Sequence, residues 1–113
     1  MLTLTQIQET SAKQAISFHD VMEHIDAHYD FKETTFKNGD TLNEAGQNNG
    51  SCKLFAFAQI HALSEQQTLN LFGDFYTKDV VQNPDGEDHQ NIRNFMKYGW
   101  KGLQFEGQAL SAK

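Results

Sequence analysis

The chain has 113 residues, with nine Lys and Arg against 15 Asp and Glu, a formal net charge of −6 and a pI near 5.2. That length fits one domain, and nine Phe, three Tyr and one Trp supply enough bulk for a packed core rather than a disordered chain. The acidic balance argues against a non-specific nucleic-acid binder or a protein that docks on anionic membranes, since both need clustered Lys and Arg.

No stretch approaches the roughly 18–20 apolar residues of a membrane span, so none is predicted. Met1-Leu2-Thr3-Leu4-Thr5-Gln6 has no basic segment leading into an apolar run, so no Sec signal peptide is expected. Cys52 is the single cysteine and has no intrachain partner, which suits a reducing cytoplasm. No repeat, low-complexity tract or linker divides the chain.

The first element is a short helix near residues 4–15, capped by Thr3 or Thr5, with Leu4 and Ile7 inward. A second helix follows Ser17, because Phe18, Val21, Met22, Ile25 and Tyr29 fall on one helical face. Ser17 is its expected N-cap, and Asp20 in the first turn suits the helix dipole. Residues 29–37 read as extended, with Tyr29, Phe31, Thr35 and Phe36 among Thr and charged side chains. Asn38-Gly39-Asp40 then makes a turn.

Residues 39–51 form the most polar, Gly- and Asn-rich stretch. The segment 52–63 is the opposite, and its near absence of a polar face predicts a buried central helix. Ser64-Glu65-Gln66-Gln67 has the spacing of a capping box, with Leu69, Phe72 and Tyr76 inward and Gly73 as a break. Asn83-Pro84-Asp85-Gly86 is a turn. A last helix starts near Asp88, presents Ile92, Phe95 and Met96, and ends at Gly99 or Gly102. Leu103-Gln104-Phe105 alternates like a strand able to pair with residues 30–37, and the tail after Gly107 is expected to be loose. The fold class is therefore α+β, mostly α: about five helices around a buried helix at 52–63, with a minimal two-stranded antiparallel piece joining about 30–37 to 103–106.

Two polar segments are placed where chemistry is easiest. Gly46-Gln47-Asn48-Asn49-Gly50-Ser51-Cys52-Lys53 sets glycines, amides, a hydroxyl and a thiol at the start of the central helix, where backbone N–H groups lack partners and the dipole lowers a thiol's pKa. Glu44, Gln47, Asn48, Asn49, Ser51 and Lys53 are candidate ligand contacts there, and Cys52 is a candidate nucleophile. The plain alternative is a tight loop closed by amide side chains, with Cys52 as a small buried hydrophobe. The glycine spacing does not match a P-loop.

The second segment, Pro84 to Asn91, offers His89 as a base for Cys52, with Asp88, Asn91 or Glu44 to orient it; Asn91 is a further candidate ligand contact. Its plain alternative is Asp88 as a helix cap and His89 as a solvated first-turn residue. The two segments are expected to converge in one polar cleft. His61 lies nine residues beyond Cys52, about 13 Å along the helix, and suits a hydrogen-bonded core role. Asp20, His24 and His28 share a helical stripe that could reach one metal, but a solvated flank is the simpler account and no metal site is assigned. No motif calls for a cofactor.

Longer stretches carry a resemblance. Phe36-Lys37-Asn38-Gly39-Asp40-Thr41, then Asn43-Glu44-Ala45-Gly46-Gln47-Asn48-Asn49-Gly50-Ser51-Cys52-Lys53 and Phe55-Ala56-Phe57-Ala58, resemble the HopJ type III effector family. So do Pro84-Asp85-Gly86-Glu87-Asp88-His89-Gln90-Asn91-Ile92-Arg93-Asn94-Phe95-Met96, Gly99-Trp100 and Phe105-Glu106-Gly107. The resemblance implies one HopJ-like domain over 1–113 in a bacterial effector or interaction protein, and it brings no catalytic residues with it. It implies residence in the bacterial cytoplasm or export by type III secretion into a host cell. The chain opens on a predicted helix rather than a long Ser-rich segment, which leaves cytoplasmic residence open. Beside the effector reading stand two others: a cytoplasmic small-ligand-binding protein, and a Cys52-dependent hydrolase or transferase whose polar site is formed by loops 44–53 and 84–91. The partner is a protein or a small molecule.

Overall fold

The apolar run that begins at Cys52 is the body of helix α3 (Asn49–Ile60) in the computed structural model, which describes residues 1–113. Cys52, Leu54, Phe55, Ala56, Phe57 and Ala58 are all buried, as a helix without a polar face requires. Its two central rings face different neighbours. Phe55 meets Phe36, Phe72 and Phe95, with ring centroids 6.3, 5.5 and 5.0 Å away. Phe57 meets His24, Tyr29 and His61. The helix begins three residues before the expected boundary, because its first turn, Asn49-Gly50-Ser51, carries no apolar signal.

The other helices surround this one: α1 (Leu4–Ser11), α2 (Phe18–His28), α4 (Glu65–Asn70) and α5 (Gln90–Tyr98). A single π-helical turn (Phe75–Val80) follows α4, and a 3₁₀ turn (Gly99–Gly102) follows α5. The α1 and α4 starts each form a capping box, Thr3 with Gln6 and Ser64 with Gln67. Ser17 does stand at the α2 N-cap, but its side chain makes no cap bond. Gly73 has φ +60°, and a Cβ there would lie 2.6 Å from the Ile16 carbonyl oxygen and 3.1 Å from the Phe18 nitrogen. Glycine thus ends α4 and lets the chain pass the start of α2 at close range.

The fold is α+β and mostly α, with more strand pairing than expected. Strands β1 (Tyr29–Phe31), β2 (Phe36–Asn38), β3 (Thr41–Asn43), β4 (Leu103–Phe105) and β5 (Leu110–Ala112) make two antiparallel sheets, β3-β2-β4 and β1-β5. The expected pairing survives in its second half, where Phe36 faces Phe105 and Asn38 faces Leu103. The first half is corrected: Tyr29–Phe31 pairs with residues 110–112, so the tail expected to be loose is a strand. Met96 is also corrected, at 48% exposed on the outer face of α5.

Candidate functional site

The starts of α3 and α5 meet through amide side chains, with Asn38, Asn43 and Asn91 buried and Asn48 exposed at the edge. Asn43, on β3, is the hub. Its Oδ1 accepts from Asn48 Nδ2 at 2.7 Å and Asn91 Nδ2 at 2.9 Å, while its own Nδ2 donates to Asn91 Oδ1 at 3.0 Å. Asn38 Nδ2 donates to the Asn91 backbone oxygen at 2.8 Å and to Asn91 Oδ1 at 3.0 Å. Asn38 Oδ1 is buried without a partner. Asn48 and His89, the two N-cap residues, leave the helix amides alone, since the Asn48 side chain is bonded to Asn43 and that of His89 to Asp79: both are left-handed, at φ 51° and 50°, and neither makes a side-chain cap bond.

The first intrahelical bonds run from Cys52 to the Asn48 carbonyl and from Ile92 to the His89 carbonyl, so the N–H groups of Asn49, Gly50, Ser51, Gln90 and Asn91 have no backbone acceptor. Most of these residues line one cleft of about 400 Å³. Its polar wall is Thr41, Asn48, Ser51, His89, Gln90 and Asn91, and its apolar wall is Phe18, Phe72, Phe75 and Ile92. Gly50 is the close-approach position, since a Cβ there would sit 2.8 Å from Phe18 Cζ.

His89 is held from two sides by the π-helical turn. Its Nε2–H donates to Asp79 Oδ2 at 3.0 Å, and its ring lies 5.3 Å from that of Phe75. This pairing fixes the tautomer that leaves Nδ1 as acceptor. Asp88, the expected orienting acid, is 3.9 Å from His89 Nε2 and is taken by Arg93, whose Nη2 donates to its Oδ1 at 2.7 Å. The hydrogen bond from Arg93 holds the Asp88 carboxyl below its usual range against an opposing effect of desolvation, with the His89 and Arg93 charges adding to the lowering.

The other sequence candidates separate. Cys52 is 1% exposed and is not part of the cleft wall; burial pushes its thiol up to about 11, against a smaller lowering by the Thr34 backbone. No hydrogen bond joins it to His89, whose Nε2 is committed to Asp79. Lys53 points away, donating to Asp26 Oδ1 at 2.8 Å and lying over the Phe31 ring. Glu44 and Gln47 close their own turn, with Glu44 N–H to Gln47 Oε1 at 3.1 Å and Gln47 N–H to the Glu44 carbonyl at 2.8 Å.

His24 and His28 stack at 4.2 Å and spend Nδ1 on the carbonyls of Leu2 and His24; no three metal-ligating side chains gather there or elsewhere. His61 bonds the Tyr29 hydroxyl at 2.7 Å, and burial and nearby His24 lower its pKa, in keeping with a core role. Phe75 belongs with Phe55, Phe57, Phe72, Phe95 and Trp100 to the aromatic residues that the sequence offers for a pocket or a core, whereas nothing in the sequence singles out Asp79. Asp79 sits in a π-helical turn, whose five-residue bonding has no apolar period to reveal it.

Comparison with known proteins completes the picture. The family described as HopJ type III effector protein matches residues 3–110. The crystal structure of a protein of unknown function, VPA0580, is 48% identical, with a TM-score of 0.94 over 99% of this chain and 95% of that one. No curated protein matches the chain.

Proposed function

The chain belongs to the HopJ type III effector protein family, and from that premise we propose that it is a small-ligand-binding module whose site is the cleft between the starts of α3 and α5. One observation carries this reading: two helix starts with free N–H groups and an aromatic wall border the same hollow. A ligand that suits it has a flat apolar part for Phe18, Phe72 and Phe75 and a hydrogen-bond-accepting head for the amides and the Ser51 and Thr41 hydroxyls. The contacts expected from this wall are Asn48, Ser51, Asn91 and His89; Glu44, Gln47, Asn49 and Lys53 are not among its lining residues. The Cys52-dependent alternative is the weaker one, because a thiol with its pKa pushed up by burial is neither ionised near neutrality nor open to substrate.

Amide NMR with benzamide and benzoate as starting fragments tests the site. Saturable shifts of Ser51, His89 and Gln90 are expected, lost in Phe75→Ala. Shifts that never saturate, or that map elsewhere, defeat the reading.

The family's description favours a second, compatible reading, in which the protein is carried by type III secretion and meets a host protein. A secretion assay under inducing conditions checks it, and retention in the bacterial cytoplasm counts against export.

A further inference from the structure

We propose that the cleft is also catalytic, with Ser51 as nucleophile, His89 as its general base and Asp79 as the residue that positions His89, acting on small esters or thioesters with a flat apolar acyl group. This rests on the ligand-binding reading above and adds a reaction to it. Ser51 and His89 both line the cleft. The Ser51 hydroxyl makes no hydrogen bond within the protein, to His89 included, so it is free to meet a substrate, and substrate binding has to bring it within reach of His89 Nδ1. His89 has its ring fixed by Asp79 at Nε2 and by Phe75 on its face, which leaves the Nδ1 lone pair to take a proton. A carboxylate that locks an imidazole's tautomer and stabilises the imidazolium is the orienting part of a Ser-His-Asp arrangement. The unpaired N–H groups of Gly50 and Ser51 offer donors to a carbonyl oxygen gaining negative charge. The aromatic wall gives the acyl group an apolar seat.

The reaction balances with water as the second reactant. Ser51 Oγ bonds to the acyl carbon as its proton passes to His89 Nδ1. The carbon–oxygen or carbon–sulfur bond to the leaving group breaks, and His89 returns the proton to the departing alkoxide or thiolate. Water then attacks the acyl-serine, giving its proton to His89. Cleavage releases the carboxylic acid, and Ser51 regains its hydroxyl proton.

A fluorophosphonate probe, followed by peptide mass spectrometry and p-nitrophenyl ester hydrolysis, tests this on the full chain. Covalent labelling is expected at Ser51 and is absent in Ser51→Ala. His89→Gln and Asp79→Asn should each slow labelling and hydrolysis by about a hundredfold. Asp79→Asn should also displace the pH profile of hydrolysis, which a merely structural role for this half-exposed carboxylate would not do. Both variants are checked for an unchanged thermal midpoint. No labelling, or labelling that persists in Ser51→Ala, overturns the inference. If benzamide still shifts the Ser51, His89 and Gln90 amides saturably, the cleft binds without reacting. If neither labelling nor saturable shifts occur, the binding reading falls as well.

Discussion

Helices α1 and α4 begin with capping boxes in which Thr3 and Gln6, or Ser64 and Gln67, bond each other's backbone, whereas α3 and α5 begin on left-handed Asn48 and His89 that bond no helix amide. The same kinds of side chain serve opposite ends. On the α1–α4 side they close the helix starts and then tie the helices together, Gln67 Nε2 to the Gln8 carbonyl at 3.0 Å and Asn70 Nδ2 to the Ser11 carbonyl at 2.8 Å. On the α3–α5 side they bond one another through Asn43 and leave the backbone donors unfilled. One pair of helix starts is finished within the protein; the other keeps its first N–H groups without a protein acceptor.

Four changes break or sharpen that contrast. Asn91→Ala should cost the most, about 3 kcal/mol, because it strips partners from buried Asn38 and Asn43 at once. Urea unfolding measures it, and a cost under about 1 kcal/mol would mean that the amide network does not hold the open side together.

The pH dependence of Cys52 comes next. An unfolded thiol ionises near its ordinary value of 9.0 and the folded one near about 11, so over that interval the unfolded chain has released a proton that the folded chain keeps. Stability should therefore fall as pH rises from about 9 to about 11, by about 2 kcal/mol at most, and Cys52→Ala should flatten that slope. A thiol reagent that labels the native protein as fast as the unfolded one would contradict the burial.

Ser64→Ala, on the closed side, should cost about 1 kcal/mol by urea unfolding and leave fragment shifts in the cleft unchanged. The smallest effect belongs to Ala62, the one left-handed alanine, at φ 51°. Ala62→Gly should raise stability by about 0.5–1 kcal/mol with no change at the cleft, since it relieves strain away from the open helix starts.

Local signals in the sequence were good guides to the closed side. Ser64 through Gln67 has a capping-box spacing that any window of four residues reveals, and Asn83-Pro84 forms its turn for local reasons as well. The apolar run from Leu54 to Ala58 marked the central helix for the same reason. The open side depends on distance. Asn43 and Asn91 lie 48 positions apart, and Asn38 and Asn91 lie 53 apart, so their bonding has no local trace. His89 was legible as a polar residue at a helix start, but Asp88 drew attention by adjacency while Asp79, ten positions away, makes the closer bond. The β1–β5 pairing was hidden likewise, since three-residue strands far apart in the chain, Tyr29–Phe31 and Leu110–Ala112, have too little alternation to announce a partner.

Gly73 gives the cleft a dependence on a residue outside its wall. An extra methyl group at this position would press on the backbone of Ile16, Ser17 and Phe18. The chain there would have to yield, and the Phe18 ring would swing with it. The width of the cleft is thus gauged from behind, by a hydrogen atom where every other amino acid would place carbon.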